Sequence, residues 1–383
     1  MKLFKYIIVL SMIIYIGCNN PSDPNGTMIE QSALYSIETY CYDVDLNDNV
    51  VILAASDGGY YKYTYELNSN GFPVLTLITH EDNHNTEYAN DSIDRVILSS
   101  GDEGVIYKLD RYTGGSSGLW FDNAEGMPID PELVNDYCYQ GKYLDMTLDE
   151  SEPDNNFGFE TQVVYSLMKH TDLNENNDGD EFLSYSTSIV RRPINVIPDN
   201  PVEGEITLSV DNCYYEHNLN YDSNEIHFGD NRLAVANESS GIVVFKRNNE
   251  TLVEGLHLDS LFSFNLSGGQ AQTVFSLENA IIGGFSNDKG CYMALLASDV
   301  DEITNYISFA DGYSIKGIDY NNQNGLIALA TGSDGVHLYL WNGGNSVSPY
   351  GSIDTGYAYD LKIENDLVFV ATQEGLEIYK IGI

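Results

Sequence analysis

The chain has 383 residues, with 58 Asp and Glu against 17 Lys and Arg, a formal charge of −41 with the histidines neutral. A surface of that sign repels phosphate backbones and anionic headgroups, which excludes nucleic acid as a partner and leaves cations and cationic groups as what the field attracts. With 29 Tyr, 34 Gly and no long run of helical period, the composition points to short strands joined by turns.

Residues 1–17 read as a leader. Lys2 and Lys5 precede the apolar run Tyr6–Gly17, which is too short to cross a bilayer by itself. The run ends in Y-I-G-C, which resembles the lipobox of bacterial lipoproteins, with Gly17 before Cys18 and Tyr15 where that family usually has an aliphatic residue. The resemblance implies cleavage before Cys18 and lipidation of its thiol, hence an extracytoplasmic protein anchored at the outer membrane or cell surface. An ordinary cleaved secretory signal is the other reading. Residues 18–30, which include N-N-P-S-D-P-N-G-T, form a polar tether. Residues 31–383 read as one domain, irregular or inserted at 131–222.

Within that domain one unit recurs. Its first copy has strand patterns at Tyr42–Leu46, Val50–Ala55, Tyr60–Glu66 and Val74–Thr79, and the second runs from Tyr88 to about Phe121. Later copies begin near Glu225, Gln272, Ser314 and Tyr357. Six turns place a polar or acidic residue before Gly59, Gly104, Gly241, Gly290, Gly335 and Gly375, at spacings of 45, 137, 49, 45 and 40. A period near 45 with four strands per unit is that of a propeller blade. In the wide gap, strand-like runs at Tyr143–Leu148, Phe159–Met168, Phe182–Val190, Ile194–Ile197 and Glu205–Val210 supply either one blade with a long insertion or two irregular blades. The expectation is an all-β propeller of about seven four-stranded blades, eight being the alternative. The last unit has three strands. Ser32–Leu46 parallels Ser348–Ile363, so Ala33–Glu38 is an outer strand without a blade of its own, placed to complete the last one and close the ring.

The segments N-R-L-A-V-A-N-E-S-S-G-I-V-V-F (Asn231–Phe245) and N-D-L-V-F-V-A-T-Q-E-G-L-E-I-Y (Asn365–Tyr379) resemble LVIVD repeats. About six units outside the middle region share the likeness, without the Asp-x-Ser-x-Pro usual after the third strand. The resemblance implies a β-propeller on secreted or surface bacterial proteins, many presumed to bind or adhere.

In such a ring the turns between second and third strands share one face with the blade-to-blade loops. That face collects Asp57, Asp102, Glu103, Glu238, Asp288, Asp334 and Glu374, a rim suited to cations, although Asp and Gly are also what tight turns demand. Asp172–Glu181 (D-L-N-E-N-N-D-G-D-E) alternates oxygen ligands and resembles the calcium loops of EF-hand proteins. Asp172, Asn174, Asn176, Asp178 and Asp180 would hold Ca²⁺, or the segment is an acidic insertion. His80–His84 (H-E-D-N-H) matches the zinc-protease pattern in letters only, because that chemistry needs a helix and a strand pattern precedes it. Cys41 and Cys138 each sit in Y-C-Y, matched by Ala358 in Y-A-Y, so they read as buried thiols rather than bridge partners; the status of Cys213 and Cys291 stays open. Tyr60, Tyr61, Tyr63 and Tyr65 read mainly as packing between blades, with carbohydrate stacking reserved for any at the loops.

Together these features describe a lipid-anchored binding, adhesion or scaffolding module whose partner is a protein or glycan at the cell envelope, with Ca²⁺ as the cofactor to test. The alternative is a metal-dependent hydrolase or lactonase in the central channel. It would need several carboxylates converging from the inner strands, where Asp43, Asp319 and Asp360 lie, although these side chains can equally pair with backbone.

Overall fold

The structure is a computed structural model, and it describes residues 29–37, 39–81, 93–99, 105–110, 119–122, 141–150, 160–170, 187–200, 205–210, 214–248, 257–297 and 300–382. Every regular element among them is a β-strand. After β1 (Ile29–Ser36), blade 1 is β2 (Asp43–Asn47), β3 (Val50–Ala54), β4 (Tyr60–Leu67) and β5 (Pro73–Glu81). Blade 2 is β6 (Ile93–Leu98), β7 (Ile106–Asp110) and β8 (Leu119–Asp122). Blade 3 is β9 (Gly141–Asp149), β10 (Glu160–His170), β11 (Thr187–Asn200), β12 (Glu205–Val210) and β13 (Tyr214–Leu219). Blade 4 is β14 (Glu225–Gly229), β15 (Arg232–Asn237), β16 (Gly241–Arg247) and β17 (Leu258–Phe264). Blade 5 is β18 (Ala271–Ser276), β19 (Ala280–Phe285), β20 (Gly290–Ala297) and β21 (Val300–Phe309). Blade 6 is β22 (Gly317–Asn321), β23 (Leu326–Ala330), β24 (Val336–Trp341) and β25 (Val347–Ile353). Blade 7 is β26 (Ala358–Glu364), β27 (Leu367–Thr372) and β28 (Gly375–Ile381), with β1 added at its outer edge.

Residue type sets the position of each strand. The second strands β15, β19, β23 and β27 are buried at every residue, which demands the unbroken small and apolar runs R-L-A-V-A-N, A-I-I-G-G-F, L-I-A-L-A and L-V-F-V-A-T. Outer strands such as β17 and β25 are largely exposed or half-buried and tolerate Asp and Ser. The core is therefore seven apolar seams rather than one globule. Ile52, Tyr60, Ile93 and Ile106 join blades 1 and 2; Tyr107, Phe121, Met146 and Val164 join blades 2 and 3. Further seams follow between each later pair, and Val51, Tyr63, Phe369 and Ile378 join blade 7 back to blade 1.

Closure comes from the expected N-terminal strand. β1 pairs antiparallel with β28, from Ser36 opposite Gly375 to Ile29 opposite Ile381. It begins at Ile29, inside the stretch read as tether. Gly375 has φ +125°, and a Cβ there would lie 2.3 Å from the Tyr35 carbonyl oxygen, so only glycine lets the closing strand approach.

The middle region is one blade. Ile194–Ile197 is not a separate strand but part of the 14-residue β11. Pro193 falls between the two segments that share the outer edge of β11: β12 ends with Val210 opposite Ile194 and β13 begins with Tyr214 opposite Arg191. Blade 3 thus has its fourth position divided between two short strands, and β13 was not foreseen.

Removing residues 1–37 leaves β28, G-L-E-I-Y-K-I, as an exposed and largely apolar edge. The truncated protein is expected to melt on the order of 5–10 °C lower and to self-associate through that edge. Calorimetry with size-exclusion chromatography checks this; an unchanged melting point would mean that β1 is dispensable.

Candidate functional site

The innermost strands β2, β6, β9, β14, β18, β22 and β26 neighbour one another around the axis. Their inner edges have no further strand to satisfy backbone amides, and side-chain acceptors take that role. Asp43 accepts from Val96 N (2.8 Å) and Asp45 from Leu98 N (2.9 Å), across the gap from blade 1 to blade 2. Asp145 accepts from Ile226 N (2.8 Å) and Thr147 from Phe228 N (3.0 Å), from blade 3 to blade 4. His227 Nδ1 accepts from Ser276 N (3.1 Å), while Glu225 takes the Thr273 hydroxyl (2.9 Å). Asp319 accepts from Ile363 N at 2.6 Å. Of the three acids flagged in sequence as channel candidates, Asp43 and Asp319 therefore do pair with the backbone of the next blade.

Four carboxylates nevertheless gather at one place, around Arg95 of β6. Its guanidinium lies 2.9 Å from Asp43, 2.9 Å from Asp145 and 3.6 Å from Asp360, with Glu225 also within electrostatic reach. Lys362 Nζ sits 3.4 Å from Asp45. A Cβ at Gly317 would fall 2.4 Å from an Asp360 carboxylate oxygen, so glycine makes room for that acid. The convergence that the enzyme alternative asks for exists, but its centre is a guanidinium. Among the described residues no three His, Cys, Asp or Glu side chains are grouped to hold a metal ion.

Burial and crowding set the proton count. Burial, then the neighbouring Asp43, push Asp360 well above the carboxylate range, and Asp360 is hydrogen-bonded to Asp43. Burial also raises Glu225 to about 7 against the pull of Arg95, and it lowers His227 to about 3 with help from Lys362 and Arg95.

The rim face is organised by the same kind of pairing. Ser56 and Ile93 exchange backbone hydrogen bonds, as do Gly332 and Ala358, and Ala271 N donates to Glu238 O. Each such turn between second and third strands is thereby clipped to the start of the next blade's inner strand. Asp57, Asp288, Asp334 and Glu374 are exposed on these turns and Glu238 is half-buried. Asp288 accepts from the Ser314 hydroxyl at 2.9 Å, the local turn chemistry that its residue type offers. The described rim residues come one each from blades 1, 4, 5, 6 and 7, so they are spread around the face rather than meeting at a point.

Cys18, Asp102, Glu103, Cys138, Asp172, Asn174, Asn176, Asp178, Asp180 and Cys213 lie outside the described residues. His80 belongs to strand β5, stacks on Tyr61 (centroids 4.0 Å apart) and bonds Gly58 O (3.0 Å), which is not a helical zinc ligand's setting; His84 lies outside the described residues. Cys41 and Cys291 are buried free thiols, and burial raises both. Tyr60, Tyr63 and Tyr65 are buried between blades.

Two features went unrecognised in sequence. One is Arg95, whose only signal is a cation inside the strand pattern I-D-R-V-I-L. The other is a tyrosine cluster on the rim face, with ring centroids 6.1 Å apart for Tyr40–Tyr42, 4.8 Å for Tyr42–Tyr359 and 4.7 Å for Tyr357–Tyr359. Its signal was the paired Y-C-Y and Y-A-Y, noted there only for their small central residue.

The architecture is that of a seven-bladed β-propeller. No family model and no curated protein matches the chain. Similar solved structures include the RRP9 WD40 repeats (TM-score 0.57, 12% identity, covering 92% of this chain and 97% of that one). U3-55K gives a TM-score of 0.57 at 12% identity over 92% and 98% of the two chains. The computationally designed Ika8 protein gives 0.54 at 9% identity over 92% and 99%. At these identities the likeness is one of fold alone.

Stability should carry the mark of the channel. A Glu225 raised from 4.5 to about 7 binds its proton more tightly in the native state, so its contribution is lost as pH climbs through that range. His227, lowered from 6.5 to about 3, acts oppositely and gains stability up to about pH 6.5. The two nearly cancel between pH 4.5 and 6.5, and half-buried Glu364, also raised to about 7 by burial, tips that window into a net fall that ends near pH 7. Glu225→Gln is expected to raise the melting temperature at pH 8 and move the optimum toward neutrality. Melting curves from pH 4 to 9 decide it: a variant profile that tracks the wild type would remove Glu225 from the account.

Proposed function

We propose that this propeller is an extracytoplasmic binding module, lipid-anchored through Cys18, that presents its rim face to a protein or glycan partner at the cell envelope. The observation that carries the reading is the contrast between two acidic sets. The channel acids are internally paired to Arg95, Lys362 and backbone, whereas Asp57, Asp288, Asp334 and Glu374 stand exposed on turns clipped rigidly to their neighbours. Exposed groups on a rigid scaffold are what a binding face requires. The LVIVD-like segments and the polar tether support a surface-presented module. The hydrolase alternative gains no observation of its own, since the converging carboxylates surround a guanidinium.

Anchoring is checked by detergent partition: the full-length chain expressed in a bacterial host should follow the detergent phase and Cys18→Ser the aqueous phase. For ligand binding, neutralising Asp57, Asp288, Asp334 and Glu374 together should weaken retention of the 31–383 domain on isolated cell envelopes. Neutralising Asp48, Asp230 and Asp366 on the opposite turns should not. Equal loss from both sets would reduce the interaction to net charge.

Calcium in the Asp172–Asp180 segment is part of the same proposal. Ca²⁺ should raise the melting temperature of the domain, and Asp172→Asn with Asp178→Asn should abolish the rise. A rise that persists in the variant would relocate the ion to the rim; no rise would remove calcium.

A further inference from the structure

We infer that the outer edge of the seam between blades 7 and 1, at Leu67, Leu77 and Ile78, is a contact surface for a zwitterionic lipid bilayer. The propeller then rests on the membrane beside the point where its tether enters. This goes beyond anchoring through Cys18 and rests on that reading.

Single exposed leucines are ordinary on a protein surface, whereas a cluster of them marks a contact. Four of the eight large hydrophobic side chains that stand exposed among the described residues belong to one hairpin, β4–β5: Leu67 (54%), Val74 (51%), Leu77 (50%) and Ile78 (50%). Leu77 lies opposite Tyr63 and Leu75 opposite Tyr65, so these leucines share the side of the hairpin that packs against blade 7. Leu67, two residues after Tyr65, is on that side at the tip of the hairpin. Ile78 is the extra residue of the bulge between the Lys62 and Tyr63 pairs. Val74, opposite Glu66, turns to the other side. Leu75 N donates to the Tyr35 hydroxyl (3.0 Å), which ties the closing strand β1 to this hairpin. Tyr63, Tyr65, Phe369 and Ile378 fill the seam beneath, and the outermost leucines face solvent.

Charge narrows the occupant. Pro73–Thr79 carries no charge in a chain of formal charge −41, whereas the outer strands of blades 4 and 5 carry Asp259, and Asp301 with Glu302. Charged residues on an outer strand discourage edge contacts, and β5 lacks them over that stretch. An apolar stripe on so acidic a body is opposed by anionic headgroups, and equally by a second copy bearing the same charge. A zwitterionic interface carries no such penalty.

The point of entry of the chain selects lipid. From Cys18 to Ile29 is eleven residue steps, a span of at most roughly 40 Å. Glu30 pairs with Lys380, and the Lys380 ammonium bonds Gly71 O (3.0 Å) in the turn of this same hairpin. The tether therefore enters beside Leu67, and a lipidated Cys18 keeps this edge within reach of the bilayer, where even a weak contact acts as an intramolecular one. The rim turns lie at the other end of the strands, since Ser36 at the far end of β1 pairs with Gly375, next to Glu374. A propeller seated on this edge holds its rim face away from the membrane and toward a partner.

The test floats residues 19–383, which contain every described strand but not Cys18, on phosphatidylcholine vesicles at rising lipid concentration. A weak partition is expected, falling several-fold when a third of the lipid is replaced by phosphatidylglycerol. Changing Leu67, Leu77 and Ile78 together to Ser should lower the partition at least tenfold, with a melting temperature within a few degrees of the wild type. In the full-length anchored chain reconstituted into the same vesicles, brominated phosphatidylcholine should quench Leu77→Trp above the wild-type background and leave Tyr306→Trp, on blade 5, at that background. A triple Ser variant that partitions like the wild type, or Leu77→Trp quenched no more than Tyr306→Trp, would overturn the inference. A wild-type dimer that the Ser changes dissolve would give the patch to a second copy instead. If the Ser variant loses partition while full-length Cys18→Ser still follows detergent, the anchoring reading fails and the lipid contact stands.

Discussion

The contact on which the ring most depends is the grip of one guanidinium, Arg95, on acids from three other blades. Asp43 belongs to blade 1, Asp145 to blade 3 and Asp360 to blade 7, while Arg95 itself is in blade 2. Burial alone disfavours the Arg95 charge, but Asp145, Asp43, Asp360 and Glu225 more than offset that cost. The acids in turn would repel one another without the cation. Removing one partner of a buried ion pair typically costs about 3–5 kcal/mol, because the remaining charges stay desolvated and unpaired. Here the arrangement also relies on a retained proton between Asp360 and Asp43, so part of the repulsion is relieved by neutralisation rather than by pairing.

Around that centre, two layers of hydrogen bonds fix the inner strands. Side-chain acceptors such as Asp45, Thr147 and Asp319 reach the amides of the following blade, and backbone bridges such as Ser56–Ile93 clip each turn to the next strand's start. Apolar seams alone are non-directional and would allow blades to slide. The polar stitches are directional and specify register. A face built on turns held this way keeps its shape without a ligand, which lowers the ordering cost of binding.

Much of the fold was legible because blades repeat. The buried second strands force the same apolar word at each copy, and the acid-Gly turns mark its period. Closure by β1 was visible in the parallel between Ser32–Leu46 and Ser348–Ile363. Blade 3 was less so: Phe182–Val190 and Ile194–Ile197 read as separate runs, whereas β11 is continuous through Pro193, where its outer edge changes partner. The channel was half legible. Asp43 and Asp360 occupy matching positions, and Asp319 matches Asp45 two residues further on, but Arg95, the partner of Asp43 and Asp360, is a single substitution in the repeat with no counterpart to align. The tyrosine cluster was hidden for a related reason, since Tyr40 and Tyr359 are over 300 residues apart in sequence and adjacent only because the last blade meets the first.

Charge distribution links the interior to the face. Among the described residues, Lys62, Lys108, Arg191, Arg192, Arg232 and Arg247 are all buried, and Arg95 nearly so. A chain with only 17 Lys and Arg thus places a large share of them inside, as partners for acids such as Asp122, Asp149 and Glu216. The outer surface is left more uniformly acidic than composition alone implies. That field draws cations from beyond contact range, but screening limits it to roughly 8–10 Å in physiological salt, and it does not distinguish sodium from an organic cation. Discrimination must come at contact, from groups that gain more from a poorly hydrated organic cation than from a hydrated metal ion.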